Sequence, residues 1–163
     1  MSLKRQIITY ALAYVMLTFS VLFGALVLSI SRDTVLFAMV YAVKDETQRE
    51  QFYQNLRIGA VSQWSYVVIG LIVIILLVAL EHVYRTGVPD GSVWKKFFLV
   101  TGTECGVLSI SHAVSFILRS DIAAQSWLSI ALPIVEAMLT GLFFWLAFNL
   151  HRITSRTGQR ITT

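Results

Sequence analysis

The chain has 163 residues, of which 56% are hydrophobic and only 13% charged, with a formal net charge of +4. That charged share is about half the usual one for soluble domains, and the charges fall in short stretches between long apolar runs. This excludes an ordinary water-soluble core and marks the runs as membrane spans.

Lys4 and Arg5 precede the first apolar run, Ile7 to Ile30. Ser29-Ile30-Ser31 resembles a small-x-small cleavage site. The run, however, is too long for the ~7–15-residue core of a signal peptide, and it reads as an uncleaved first span. The connection 31–57 is longer than a simple turn. Val35 to Val43 is apolar but too short to cross a bilayer. Lys44 to Arg57 is polar, with Thr47 followed by Glu50 in a capping-box pattern. Two short helices are expected here, the first lying at the outer interface. Such a segment either caps the bundle or serves as a docking or lid element.

The second span is expected from Ile58 to Leu80. Gly87, Pro89, Asp90 and Gly91 then supply tight-turn chemistry between Thr86 and Ser92. The third span runs from Phe97 to Leu118. A brief outer turn around Ser120 to Ala124 follows, with Arg119 and Asp121 as a solvated pair. The fourth span runs from Trp127 to Leu150, and a flexible basic tail begins at Thr154. Each run reaches the ~20 residues needed by a helix to cross hydrocarbon. The alternation of a membrane barrel is missing. The expected fold is therefore all-α: one integral membrane domain of four transmembrane helices, with a short helical outer loop between the first two.

Orientation follows from the basic residues. Lys4, Arg5, Arg85, Lys95, Lys96, Arg152, Arg156 and Arg160 share one side. Arg32, Lys44, Arg49, Arg57 and Arg119 share the other. The richer side is cytoplasmic by this rule, and it holds both termini. Aromatic rings favour the headgroup level, so Trp64 and Trp127 are expected to mark the outer interface, and Tyr10, Tyr84 and Trp94 the inner one.

The third span is unusually polar. At about 100° per residue, Thr101, Glu104, Ser111, His112 and Ser115 fall on one third of the helix circumference. Gly102, Gly106 and Ala113 fall nearly opposite, with Ser109 beside them. The second stripe contains Gly102-x-x-x-Gly106, a spacing that lets helix backbones approach closely, and it is read as packing. The first stripe carries a carboxylate that costs a few kcal/mol in a bilayer and must face another helix or a wet cavity. On the fourth span, Ser129, Pro133, Glu136 and Thr140 share a face. Helix rise puts Glu136 within about 3 Å of the level of His112 and roughly 9 Å from that of Glu104. A buried cluster of Glu104, His112 and Glu136 is expected, with Ser111, Ser115 and Thr140 around it. His112–Glu136 is its closest contact, and Pro133 kinks the helix beside it. Two carboxylates with an imidazole could form a proton relay, an ion site or a ligand site. They could equally form a hydrogen-bonded network that holds two helices together.

His82 and His151 lie at inner span ends and are weak candidates for a metal or haem. The density of Phe143, Phe144, Trp145 and Phe148 reads as packing or lipid-facing surface. Cys105 is the only cysteine, so neither an intramolecular disulfide nor a CxxC site is possible. No phosphate loop, GxGxxG, HExxH or GxSxG is present. No cofactor is required by these residues. The basic residues flank apolar spans and form no strip with aromatics, so nucleic acid is not an expected partner. The expected partners are the bilayer and other membrane subunits or a second copy. The leading expectation is a non-catalytic accessory subunit. The alternatives are a small proton- or cation-coupled carrier and a quinone- or haem-binding anchor.

Overall fold

The computed structural model describes residues 3–42, 48–52, 59–118 and 127–159, and among these it is helical with no strands. The long helices are α1 (Leu3–Tyr41), α2 (Ala60–Gly87), α3 (Val93–Leu118) and α4 (Trp127–Gln159). All four contain segments long and apolar enough to cross a membrane, the expected four-span architecture. A short helix at 48–52 lies in the connection between the first two spans, where a helical outer loop was expected.

The first span is longer than its apolar run suggests. Val35 to Tyr41 is not a separate interfacial helix but the continuation of α1. No glycine or proline interrupts the chain between Ile30 and Tyr41, so nothing breaks the backbone ladder. The polar stretch there reads as a loop, yet its side chains are satisfied without leaving the helix. Thr34 donates from Oγ1 to the Ile30 carbonyl at 3.1 Å, and Arg32 pairs with Asp33 at 2.7 Å. The ladder runs on to Ala42, whose N–H donates to Ala38. The other helices also exceed their expected bounds. The second reaches Gly87 and the third begins at Val93, while α4 runs to Gln159 with Pro133 inside it. The tail expected from Thr154 thus begins within α4. Thr47, the turn 120–124 and the Arg119–Asp121 pair lie outside the described residues.

α2 and α3 meet through the turn 88–91. Gly91 has φ 65°, a left-handed conformation in which a side chain is strained. The Ser92 N–H donates to Gly87, and the Ser92 carbonyl accepts from the Lys96 N–H. The Lys96 ammonium returns to the end of α2, donating to the Val83 carbonyl at 3.0 Å and to Thr86 Oγ1 at 2.8 Å. A cation there lies at the C-terminal end of α2, where the helix dipole favours positive charge.

The helices form a row rather than a closed ring. Among the described residues α1 packs against both α2 and α3, α2 also touches α3, and α4 approaches α3 alone. An apolar core lies between α1 and α2: Ala13, Met16 and Leu17 cluster with Leu80, Tyr84 and Val88, and Val93 joins them. Tyr84 was expected at the inner interface. It is almost fully buried between the helices, with its hydroxyl 2.8 Å from Ser20 Oγ. Tyr10, Trp64, Trp94 and Trp127 are exposed at the helix ends, as interface aromatics would be.

Tyr84→Phe removes one partner of a fully buried hydroxyl pair and leaves Ser20 unsatisfied, which costs about 1–3 kcal/mol. Ser20→Ala should have a similar effect, and the double variant should lose clearly less than the sum. Thermal unfolding of the four proteins in one detergent measures this, and additive losses would show that the pair is not coupled.

Candidate functional site

Helix rise along the row sets the depth of each polar group. Gly24 on α1, Leu76 on α2 and Glu104 on α3 share one level, since a Cβ added at Gly24 would lie 2.8 Å from Leu76 Cδ2 and 2.9 Å from Glu104 Oε1. At ~1.5 Å per residue, Arg85 lies about 13 Å from that level toward one end, and Arg32 about 12 Å toward the other. These distances match half of a ~30 Å hydrocarbon core, which puts Glu104 near mid-depth.

The expected polar cluster divides into two parts at different depths. His112 and Glu136 meet, as their levels suggested. His112 Nδ1 lies 2.9 Å from Glu136 Oε1 and 2.8 Å from Oε2, joining α3 to α4. An ionised carboxylate only accepts, so against it the imidazole donates from Nδ1. Glu136 is buried and His112 partly so. Glu104 does not join them. It sits eight residues from His112, about 12 Å along the axis, and its carboxylate points to Gly24 on α1. Both of its oxygens are buried and, among the described residues, neither has a hydrogen-bond partner. Thr101 Oγ1, one turn away on α3, is also buried without one.

Nor do Ser111 and Ser115 surround the His112–Glu136 pair. They face α1, because α1 and α4 flank different sides of α3. Ser111 Oγ meets Ser31 Oγ at 2.9 Å, and Ser115 Oγ meets Thr34 Oγ1 at 3.1 Å. Thr140 donates to the Glu136 carbonyl and lies against Gly106. The glycine stripe faces α4. A Cβ added at Gly102 would lie 3.3 Å from Phe143 Cβ, and one at Gly106 would lie 3.5 Å from Thr140 Cγ2. Ser109 on this side donates to the Pro133 carbonyl at 2.8 Å. Ala113 lines an open apolar groove with Pro133 and Met138.

No family model, curated protein or solved structure matches the chain.

Several contributors were missed on reading the sequence. Ser20 looks like an ordinary span residue, Ser31 and Thr34 like loop residues and Tyr84 like an interface aromatic until α1 is laid beside its neighbours. Arg32 was counted as a loop charge. Its side chain is only 10% exposed. Nε donates to Ser65 Oγ on α2 at 2.7 Å, and the guanidinium lies 4.0 Å from the Tyr66 ring centroid. The available signal was spacing: Ser31 and Thr34 are three apart, which places them on one side of a continued α1. Of the weak metal candidates, His82 is exposed, and the His151 side chain lies outside the described residues. Among the described residues no group of three possible metal ligands forms.

This arrangement can tether helices or hold a proton on an imidazole–carboxylate pair. Replacing either His112 or Glu136 by Leu leaves the other group buried and unpaired. Each variant should lose stability, and the double variant should recover a coupling of about 1 kcal/mol, the scale seen for polar pairs between membrane helices. A double-mutant cycle of unfolding in bicelles reads this directly. Zero coupling would remove the pair as a tether.

Proposed function

We propose that this multi-pass membrane protein is a non-catalytic subunit that packs against other membrane proteins. The observation that carries this reading is the open row of helices. Among the described residues α4 approaches α3 alone, so these four helices are not closed around a central lumen. Most polar groups of the third span are spent on neighbouring helices: His112 on Glu136, Ser109 on Pro133, Ser111 on Ser31 and Ser115 on Thr34. Polar contacts used in this way fix helix positions in lipid. The close approach of α4 at Gly102 and Gly106 belongs to the same role. A small residue at each site lets backbones pack where lipid would otherwise intervene. A row fixed in this way offers its free faces to neighbours, either another membrane subunit or a second copy of this chain. In this reading both termini and the 86–92 turn are cytoplasmic.

A second reading rests on Glu104 alone. An intramembrane carboxylate without a side-chain partner is the kind of group a proton- or cation-coupled carrier uses. A chain of this size would need to oligomerise to enclose a path.

Extraction in mild detergent should yield the chain in a larger membrane complex, read by native mass and by identification of the co-purifying chains. A partnerless monomer would overturn the subunit reading. If that monomer drives proton or cation flux in proteoliposomes, and Glu104→Gln abolishes the flux while the fold persists, the carrier reading replaces it. Visible absorbance in the pure protein would instead favour a quinone- or haem-binding anchor. For orientation, a Cys105→Ser chain carrying Asp90→Cys should react with an impermeant maleimide only from the cytoplasmic side. Labelling from the outside would reverse the topology.

A further inference from the structure

Both Glu104 oxygens are buried at mid-depth, in apolar surroundings. From α1 the carboxylate faces Gly24, which brings no side chain, and Leu76 of α2 lies at the same point. Tyr84 on α2 and Cys105 on α3 are titratable groups that interact electrostatically with it, and the Tyr84 hydroxyl is committed to Ser20. From α4, Glu136 is turned to His112. Helix rise puts Arg32, Arg85, Lys96 and His112 each about 12–13 Å away along the bundle. Among the described residues the ion pairs are Arg32–Asp33 and His112–Glu136, and Glu104 enters neither.

Three ways of completing such a group differ in what they demand. A charged side chain of opposite sign has to stand at the same level, and among the described residues none does. A hard metal cation takes about six oxygens. The buried side-chain oxygens left unpartnered among the described residues are the two of Glu104 and Thr101 Oγ1. Backbone carbonyls within the helices are spent on the helical ladder and add little. A proton demands no further ligand. It removes the charge that hydrocarbon penalises, and a neutral acid is far cheaper to hold there than an isolated ion.

We propose that Glu104 is a proton-binding site within the membrane: at neutral pH it holds the proton as the acid, and metal cations do not compete for the place. Gly24 makes room for the carboxyl group, and Leu76 keeps that side of it apolar. The proposal deepens the carrier reading above and rests on it for a role, since it names the proton as the species carried. Occupancy of the site can nevertheless be measured without transport.

Infrared spectroscopy of the full chain in lipid tests it. At neutral pH the parent chain should show a carboxylic-acid carbonyl stretch, clear of the amide bands. Glu104→Gln should lose that band, and Glu104→Asp, which keeps an acid, should shift it. Exchanging choline chloride for saturating sodium or potassium chloride should leave its intensity unchanged in the parent chain. This arm needs no substitution, so it stands even where a variant does not fold. Absence of the band from the parent chain, or its undiminished survival in Glu104→Gln, would overturn the proposal. Loss of the band in sodium or potassium would also overturn it and make a metal cation the occupant. Flux in proteoliposomes is a separate measurement. An acid band without flux keeps the site and removes the carrier reading, whereas cation flux without the band removes the site and keeps that reading.

Discussion

Hydrocarbon offers a polar side chain no partner, so each polar group on these helices must find one on a neighbouring helix or reach an interface. The row of helices is organised by that constraint. The apolar faces alone would not specify it, because lipid tails are as apolar as Leu or Ile and give no preference for one neighbour over another. Positions are set instead by short polar bonds: Ser20 to Tyr84 between α1 and α2, Ser31 to Ser111 and Thr34 to Ser115 between α1 and α3, and His112 to Glu136 between α3 and α4. Each fixes both the rotation of a helix and its height. A helix rotated away from its partner would expose a hydroxyl, an imidazole or a carboxylate to lipid.

These bonds are not spread evenly through the depth of the bundle. Ser31, Arg32 and Thr34 on α1 share a stratum with Ser111, His112 and Ser115 on α3 and with Ser65 on α2. Glu136 brings α4 into the same layer, so all four helices are tied at one end. At the opposite end the Lys96 ammonium ties α3 back onto the last turn of α2. Near the midplane the contacts are mostly apolar or made by small residues. Gly24 lies beside Leu76, and Gly102 and Gly106 lie against α4. Polar bonding near the interfaces and small-residue packing between them keep most of the desolvation cost away from the driest level.

The four spans could be read from the sequence because apolar length is a local property that needs no knowledge of neighbours. The His112–Glu136 contact was legible for a related reason. A short loop makes α3 and α4 antiparallel, and helix rise alone then fixes which levels meet. What could not be read was rotation. Thr101, Glu104, Ser111, His112 and Ser115 share one third of a helix, and the simplest inference gives them one neighbour. In fact α1 and α4 flank that sector from two sides, so His112 turns to Glu136 while Ser111 and Ser115 turn to α1. The position of α1 is the missing quantity, and no local pattern in α3 contains it. The same ignorance hid the burial of Tyr84 against α1. A tyrosine near a span end is a good interface residue unless a hydroxyl lies opposite, and Ser20 is sixty-four positions away in the chain. The error at Val35 was different: a run of Ser, Arg, Asp and Thr has the composition of a loop, but composition does not break a helix when every polar group can be satisfied from within it or from the next helix.

Among the described residues Glu104, with Thr101 one turn away, departs from the pairing rule. A carboxylate at mid-depth costs about 2.5–3.5 kcal/mol on insertion scales, so a purely structural sequence has reason to avoid it. The place it occupies is also shaped for it. Gly24 has no side chain to fill the space taken by Oε1, and even one added methyl would press on both the carboxylate and Leu76. The absence at Gly24 and the presence at Glu104 are thus two sides of one steric arrangement, contributed by different helices. Removing the carboxylate would leave a gap beside the glycine, and filling the glycine would displace the carboxylate. A residue needed only to occupy volume could have been a leucine, which fits the medium without the desolvation cost. That contrast separates Glu104 from the polar groups that tie the helices together, because each of those is matched by a partner on the neighbouring chain segment.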